Sequence, residues 1–180
     1  MSVSNFIKKM MFSRQLNFEK GKFEMLGIRG VILPARTLTK FVEEMYKEEG
    51  DEAFEILFEA GKEHGRLGVE KLGKKNKVGK REFISEVIES GNVMGLGEAK
   101  VDVFNPGKGV LKIKLKNSPL EDEFKNSETL KDLDRSIDDF QRGVFHAMAE
   151  SVFEEEIKSK ETKCSYLGDR FCEFIIKTKD

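Results

Sequence analysis

The sequence predicts an α+β domain: an antiparallel sheet, built largely from two C-terminal hairpin-type pairs, packed against a helical layer. Three observations carry this prediction. Residues 34–90 hold segments whose apolar side chains recur three and four apart, the spacing of one helix face. Residues 99–116 switch to alternation, the spacing of one sheet face. After residue 127 a helical stripe precedes a second pair of strand-like segments, so helices and strands are segregated along the chain.

Taken in order, LNFEK, KFEML and IRGVIL between Leu16 and Leu33 read as two or three short strands broken by Gly21, Gly27 and Gly30. Pro34 ends the last of them, and ARTLTKFVEEMYKEEG reads as a helix with a stripe of Leu38, Phe41, Val42 and Met45 and a cap at Gly50. Asp51 opens the next helix, along which Phe54, Leu57, Phe58, Gly61, Gly65 and Leu72 recur at helical spacing. Gly61, Gly65 and Gly68 each cost that helix about 1 kcal/mol relative to Ala, a cost explained by close approach of another backbone. The basic stretch KKNKVGKR has no interleaved aromatic residue and reads as a solvated loop, not a nucleic-acid patch. A third helix at 81–90 carries Phe83, Ile84, Val87 and Ile88.

Gly91, Gly95 and Gly97 shape a turn. A phosphate loop would need Gly-Lys-Ser/Thr opening a helix, whereas a strand follows. Ala99, Val101 and Val103 then alternate with charged residues, NPGKG turns the chain, and Val110, Leu111, Ile113 and Leu115 return it as a hairpin. A long helix over 127–156 is predicted from the stripe Leu130, Leu133, Ile137, Phe140, Val144, Met148 and Val152. IKSKETKC and RFCEFIIK form the second hairpin, around a turn at Leu167-Gly168-Asp169.

The length suits one domain spanning 1–180, with residues 1–15 as an N-terminal arm. Phe6, Ile7, Met10, Met11 and Phe12 are too concentrated for a solvated tail, which points the arm at a dimer interface. The 32 basic and 33 acidic side chains balance, so nothing calls for a nucleic-acid partner. No apolar run reaches about 18 residues and no signal-peptide core is present, so a cytoplasmic protein without a membrane span is expected. Abundant Lys and Glu, three Pro and no Trp suit a heat-adapted surface. Two histidines, His64 and His146, stand far apart, and no strand-linked Gly-x-Gly-x2-Gly motif opens a helix. Neither a His-centred hydrolase nor a nicotinamide or flavin enzyme is indicated.

Both cysteines sit in ETKCSYLGDRFCEFII, Glu161 to Ile176. With the predicted turn, Cys164 lies opposite Cys172 on one face, with Cβ atoms about 4.5–5.5 Å apart. Three readings fit: a metal site, a disulfide of the kind some hyperthermophiles keep inside the cell, or two reduced packing thiols.

The pattern Glu-x2-Cys-x7-Cys with an internal glycine resembles the end of the 4-vinyl reductase domain family, relatives of the transport-particle (TRAPP) subunits. FEILFEAGKEHGRLG is similar to that family's glycine-bearing helix, MGLGEAKVDVF to its Gly-x-Gly entry into a strand, and LKIKLKNSPLED to its strand ending in Asn-Ser. The resemblance spans about residues 50–178. It implies a non-catalytic, dimeric α+β domain with an apolar pocket for small hydrophobic molecules, used as a sensor in regulators of aromatic-compound degradation. It also implies a zinc ion held by the two hairpin cysteines, the Glu three residues before the first, and a third cysteine on the long helix.

In this sequence Cys164, Cys172 and Glu161 match that set, but the helix cysteine is replaced by Asp138, five residues before Gly143. His146 is the alternative ligand, although eight residues along a helix place it about 12 Å from Asp138. Two thiolates and two carboxylates make a harder, weaker zinc site than three thiolates and one carboxylate. Glu161 and Cys164 also differ by an odd number, so a bulge or irregular entry is needed to bring them to one face. The implied pocket would be lined by Phe140, Val144 and Met148, with 15 Phe and 7 Met supplying adaptable apolar surface. The expected function is a stand-alone sensor-type binding domain for a hydrophobic or aromatic ligand. A dimeric scaffold is the second expectation, and a vinyl reductase the third.

Overall fold

Tight turns at Gly21 and Gly27, both at positive φ, fold the N-terminal segment back on itself twice. In the computed structural model, which describes residues 16–73 and 79–179, this produces β1 (Leu16–Glu19), β2 (Lys22–Met25) and β3 (Ile28–Gly30). The three form an antiparallel sheet in sequence order. The 1–15 arm and most of the basic loop after Gly73 lie outside the described residues.

Pro34, which lacks an N–H and presets φ, stands just before α1 (Ala35–Glu49). Gly50, at φ 57°, ends α1 by donating its N–H to Tyr46 O at 2.8 Å. Helices α2 (Glu52–Gly73) and α3 (Lys80–Val93) follow. Strands β4 (Glu98–Asn105) and β5 (Val110–Lys116) form the first predicted hairpin. The short α4 (Glu121–Lys125), α5 (Asp139–Phe153), β6 (Ile157–Lys163) and β7 (Cys172–Thr178) complete the chain. The two hairpins lie side by side in one antiparallel sheet of order β4-β5-β7-β6, joined where β5 pairs with β7. Leu111, Ile113 and Leu115 of β5 and Cys172, Phe174 and Ile176 of β7 are fully buried on its inner face. This is the predicted α+β architecture, with an additional small N-terminal sheet.

Helix α5 lies between that sheet and α2. Phe145 meets Phe174 edge-on at 5.2 Å between ring centres, and every residue from Gly143 to Ala149 is buried. A helix enclosed on both sides has no polar face to display. The α2–α5 contact is a backbone contact. A Cβ added at Gly61 would stand 2.0 Å from Phe140 O, and one at Gly143 would stand 2.1 Å from Phe58 O. Gly65 is nearly as tight, at 2.8 Å from Val144 O, whereas Gly68 meets nothing within 4 Å. Two of the three unexplained α2 glycines are therefore required by packing, and the third is not.

Several expectations are corrected. The long helix predicted for 127–156 is α5 alone; residues 127–138 form an irregular, tethered segment. Tyr166 Oη holds this segment, donating to Leu130 O at 2.6 Å and accepting from Leu133 N–H at 3.2 Å. Its run of Asp and Ser offers the backbone local partners that compete with a helix, while Leu130 and Ile137 still reach the core. In α1 the stripe is only partly buried: Val42 is inside, but Phe41 is 58% exposed and Leu38 is also exposed. In β4 a bulge at Asp102 shifts the register between Val101 and Val103. Val103 consequently faces outward, and Phe104 turns in to meet Phe153.

Gly143→Ala and Gly61→Ala are each expected to destabilise the fold by about 1–3 kcal/mol or more, since neither backbone can yield as a side chain would. Gly68→Ala should be neutral or stabilising by up to about 1 kcal/mol. Urea midpoints of the three variants check this. Equal effects at Gly68 and Gly143 would show that helix propensity, not the interhelical contact, sets the cost.

Candidate functional site

The four residues that the sequence reading assembled come together. One ligand atom each from Asp138, Glu161, Cys164 and Cys172 lies within 4.8 Å of the other three. Each arrives by a different local device. Asp138 stands at the N-terminal boundary of α5 and is 1% exposed, yet its side chain makes no capping bond to the helix. It is turned toward the sheet, where Oδ1 accepts from Ser118 Oγ and Oδ2 accepts from Cys172 Sγ at 2.9 Å. The adjacent Asp139 points elsewhere and is neutralised by Arg135 and Arg142, at 2.8 and 2.6 Å.

Glu161 reaches the cluster because β6 carries the required irregularity. Pairs from Ile157↔Thr178 to Glu161↔Phe174 keep one register, and the next pair, Lys163↔Glu173, is shifted by a residue. The bulge at Thr162 reverses the alternation, so Glu161 and Cys164 share a face despite their odd separation. The hairpin loop is longer than the predicted three-residue turn. Ser165–Leu167 forms a 3-10 turn, Gly168 follows at φ 102°, and Cys164 O accepts from Leu167 N–H and Asp169 N–H. Tyr166 and Arg170 therefore do not pair across the turn, and Thr162, not opposed to Phe174, is the bulged residue. Cys172 Sγ accepts from Ser165 N–H at 3.3 Å, and Ser165 Oγ donates to Glu121 Oε2 at 2.6 Å.

Among the described residues neither Asp138 nor Glu161 has a Lys or Arg ion-pair partner, so electrostatics must be settled within the cluster. Burial raises Asp138 above the usual carboxyl range against the opposing hydrogen bonds from Cys172 and Ser118. Burial, with repulsion from Asp138 and Cys164, pushes Glu161 up to about 10. The Cys172 thiol is raised by its contact with Cys164 and by burial, while Cys164 falls to about 6, chiefly because Cys172 favours its thiolate. Four acids in such a space hold protons that a dication would displace.

The donor set and spacing fit a four-coordinate ion. Bonds of about 2.0–2.3 Å hold tetrahedral donors about 3.3–3.8 Å apart, so the cluster needs to contract by only about an ångström. Glu161 Oε1, wholly buried with no hydrogen-bond partner, is an acceptor in want of a cation or donor. Ser118 and Ser165 orient Asp138 and Cys172 as outer partners of metal ligands do. Both cysteines are free thiols. The alternative ligand His146 stands outside the cluster, with Nδ1 2.9 Å from Ser159 Oγ and Nε2 3.1 Å from Glu150 Oε1.

A second feature lies farther along α5. A cavity of about 20 Å³ is enclosed by the end of α3, the start of β4 and α5, with Val87, Ile88, Leu96, Ala99, Val144 and Phe145 among its walls. Of the three pocket residues expected from the sequence, Val144 lines this chamber. Phe140 instead lies near His64, 5.6 Å between ring centres, and Met148 is fully buried in the core. The chamber and the acidic–thiol cluster occupy one row of the sheet: Ala99 pairs with Leu115, and Leu115 pairs with Cys172. Two strand spacings, about 9.5 Å, separate the row's ends. Ser118 and Ser165 were missed because a serine's role beside a ligand depends on neighbours from other elements. The Asn-Ser ending of β5 was their only local sign.

Fold and site together define a small α+β domain with a buried acidic–thiol cluster beside an apolar chamber. Residues 120–178 match the family model of the vinyl-4-reductase domain, and the resemblance drawn from the sequence holds on that segment. The fold is shared with the phenol-responsive sensory domain of the transcription activator PoxR, solved with phenol, at 15% identity and TM-score 0.84, over 98% of this chain and 92% of that one. It is shared more loosely with a trafficking protein particle complex subunit 3 from Naegleria fowleri covalently bound to palmitic acid, at 19% identity and TM-score 0.57, over 81% and 93%. A vinyl-4-reductase family protein from Methanocaldococcus jannaschii matches at 23% identity and TM-score 0.56, over 84% and 85%. No curated protein matches the chain. Among the described residues no helix is long and apolar enough to cross a membrane.

Protein stripped of metal should lose stability as pH rises. Glu161 titrates near 10 when folded and near its ordinary 4.5 when unfolded, so its contribution is complete below about 4.5 and is lost on the way to 10. Cys164, lowered from 9.0 to about 6, works in the opposite direction between those values, so the decline is steepest from about pH 4.5 to 6. Urea midpoints against pH for the wild type and Glu161→Gln measure this; identical slopes would exclude a buried protonated Glu161.

Proposed function

We propose that this chain is a sensor-type small-molecule-binding domain that takes a hydrophobic or aromatic ligand in the chamber between α3, α5 and β4, beside a structural zinc ion. The observation that carries this reading is the sheet row Ala99–Leu115–Cys172, which links chamber wall to cluster through directly paired residues. Zinc would be held by Cys164, Cys172, Glu161 and Asp138, drawing α5, β6 and β7 together at the level of the ligand. Bound there, zinc supplies cross-linking and charge neutralisation. The chain's own residues exclude water and shape the apolar walls. The fold shared with a phenol-responsive sensory domain supports the ligand class.

The chamber is small, so a ring-sized ligand enters only as side chains around it move apart. The ordinary drive is burial of apolar area at about 25 cal/mol per Å², less the cost of that rearrangement. Residues 16–180 would form the binding domain and residues 1–15 an arm at a homodimer interface. A scaffold role, as the second reading, draws on one feature: Val31 and Ile32 are 79% and 73% exposed, with Leu33, Leu38 and Phe41 also exposed nearby in the chain.

Tag-free protein purified without added zinc or chelator should carry about one zinc per chain. Cys172→Ser should remove it, with the stabilisation lost being about 4 kcal/mol where free zinc stood a thousandfold above Kd. Elemental analysis and thiol titration check this. Metal-free protein with two accessible thiols would leave the cysteines as packing residues. Phenol and toluene should raise the Tm of the wild type, whereas Val144→Phe, which fills the chamber, should abolish the shift and keep the zinc. Shifts unchanged in Val144→Phe would move the ligand elsewhere.

A further inference from the structure

One polar side chain breaks the apolar lining of the chamber. Gln141 lies on α5 one turn before Phe145, is 2% exposed, and forms part of the wall. Its Oε1 is wholly buried and accepts no hydrogen bond. The other amide in the wall is fully engaged. Asn92 Nδ2 donates to Ala99 O at 3.1 Å and Asn92 Oδ1 accepts from Ala99 N–H at 2.9 Å, pinning the end of α3 to the start of β4.

A buried acceptor without a donor is costly, by about 1–3 kcal/mol, and native structures rarely keep one without a reason. A single water fits a volume of about 20 Å³. Water is nevertheless a poor match, because it needs two to four polar partners and this wall offers one free acceptor. The complementary occupant is mostly apolar and carries a single donor.

We propose that Gln141 is the specificity-determining residue of the chamber, and that its Oε1 accepts a hydrogen bond from a small, largely apolar ligand bearing one hydroxyl or N–H group. This rests on the chamber being the ligand site and adds to that reading the class of ligand. The acceptor is already stripped of water before the ligand arrives, so only the ligand's own donor has to be desolvated. Discrimination should favour a donor over an isosteric group without one, since the latter leaves Oε1 unpaired.

The test uses the full chain and three probes of similar size: phenol, which donates; anisole, whose ring oxygen only accepts; and toluene, which does neither. Dissociation constants are measured by calorimetry for the wild type and for Gln141→Leu, with folding of the variant verified by circular dichroism. The inference expects phenol to bind the wild type about tenfold more tightly than anisole, and Gln141→Leu to reduce that ratio about tenfold. It also expects ligand-free Gln141→Leu to melt no lower than the wild type, since the change removes an unpaired acceptor. Equal binding of the three probes, or a preference for anisole, overturns the role of Gln141 and leaves the chamber as the ligand site. A phenol preference that survives in Gln141→Leu does the same. Failure of all three probes to bind the wild type overturns both the inference and the chamber reading. If Gln141→Leu does not fold, the wild-type ratio of phenol to anisole decides alone.

Discussion

The rest of the structure depends on the contact between α2 and α5, where Gly61 and Gly143 bring two helix backbones together without intervening side chains. Glycine in a helix interior is unfavourable in isolation, so these residues reflect a demand of the tertiary structure. Because α2 sits so close, α5 can be covered on one side by a helix and on the other by the sheet within a single layer's thickness. Its position then fixes two chemical features. Its first residues present Asp138 to the hairpin, and the next turn presents Gln141 and Val144 to the chamber.

The cluster shows how local irregularity creates chemistry. A regular β6 would carry Glu161 and Cys164 on opposite faces, and the bulge at Thr162 brings them together. The 3-10 turn at Ser165–Leu167 then returns the chain so that Ser165 N–H meets Cys172 Sγ. Asp138 contributes because its carboxylate is not spent on capping α5, whereas Asp139, one residue on, is consumed by two arginines. The result is four acidic groups with no basic partner, an arrangement whose protonation and metal occupancy are two faces of one equilibrium.

Beside this cluster the chamber is nearly all hydrocarbon, and the sheet row Ala99–Leu115–Cys172 joins the two. Close-packed interiors transmit small displacements because few voids absorb them. A ligand that spreads the α3 and β4 ends would therefore press on the strands that hold the thiols. The paired amide of Asn92, which ties α3 to β4, lies on that same boundary.

Much of this was legible in the sequence. Alternation over residues 99–116 identified the first hairpin because one face is wet and one is dry, and the Glu-x2-Cys-x7-Cys pattern with Gly143 singled out Glu161, Cys164, Cys172 and Asp138. The parity of Glu161 and Cys164 even required the bulge. Other features required the tertiary structure. The stripe over 127–156 suggested one helix because Leu130 and Ile137 do reach the core, but they reach it from a segment held by Tyr166, a residue 36 positions from Leu130. Phe41 and Val103 obey their local periods yet end outside, since burial depends on what packs opposite and on where a bulge falls. Gln141 carried no local sign, because on a helix enclosed from both sides polarity no longer marks the solvent face. Sequence alone determined which residues alternate, cap and turn, since these are short-range properties of the chain. Which of them meet a partner was decided only when α5 was enclosed between α2 and the sheet.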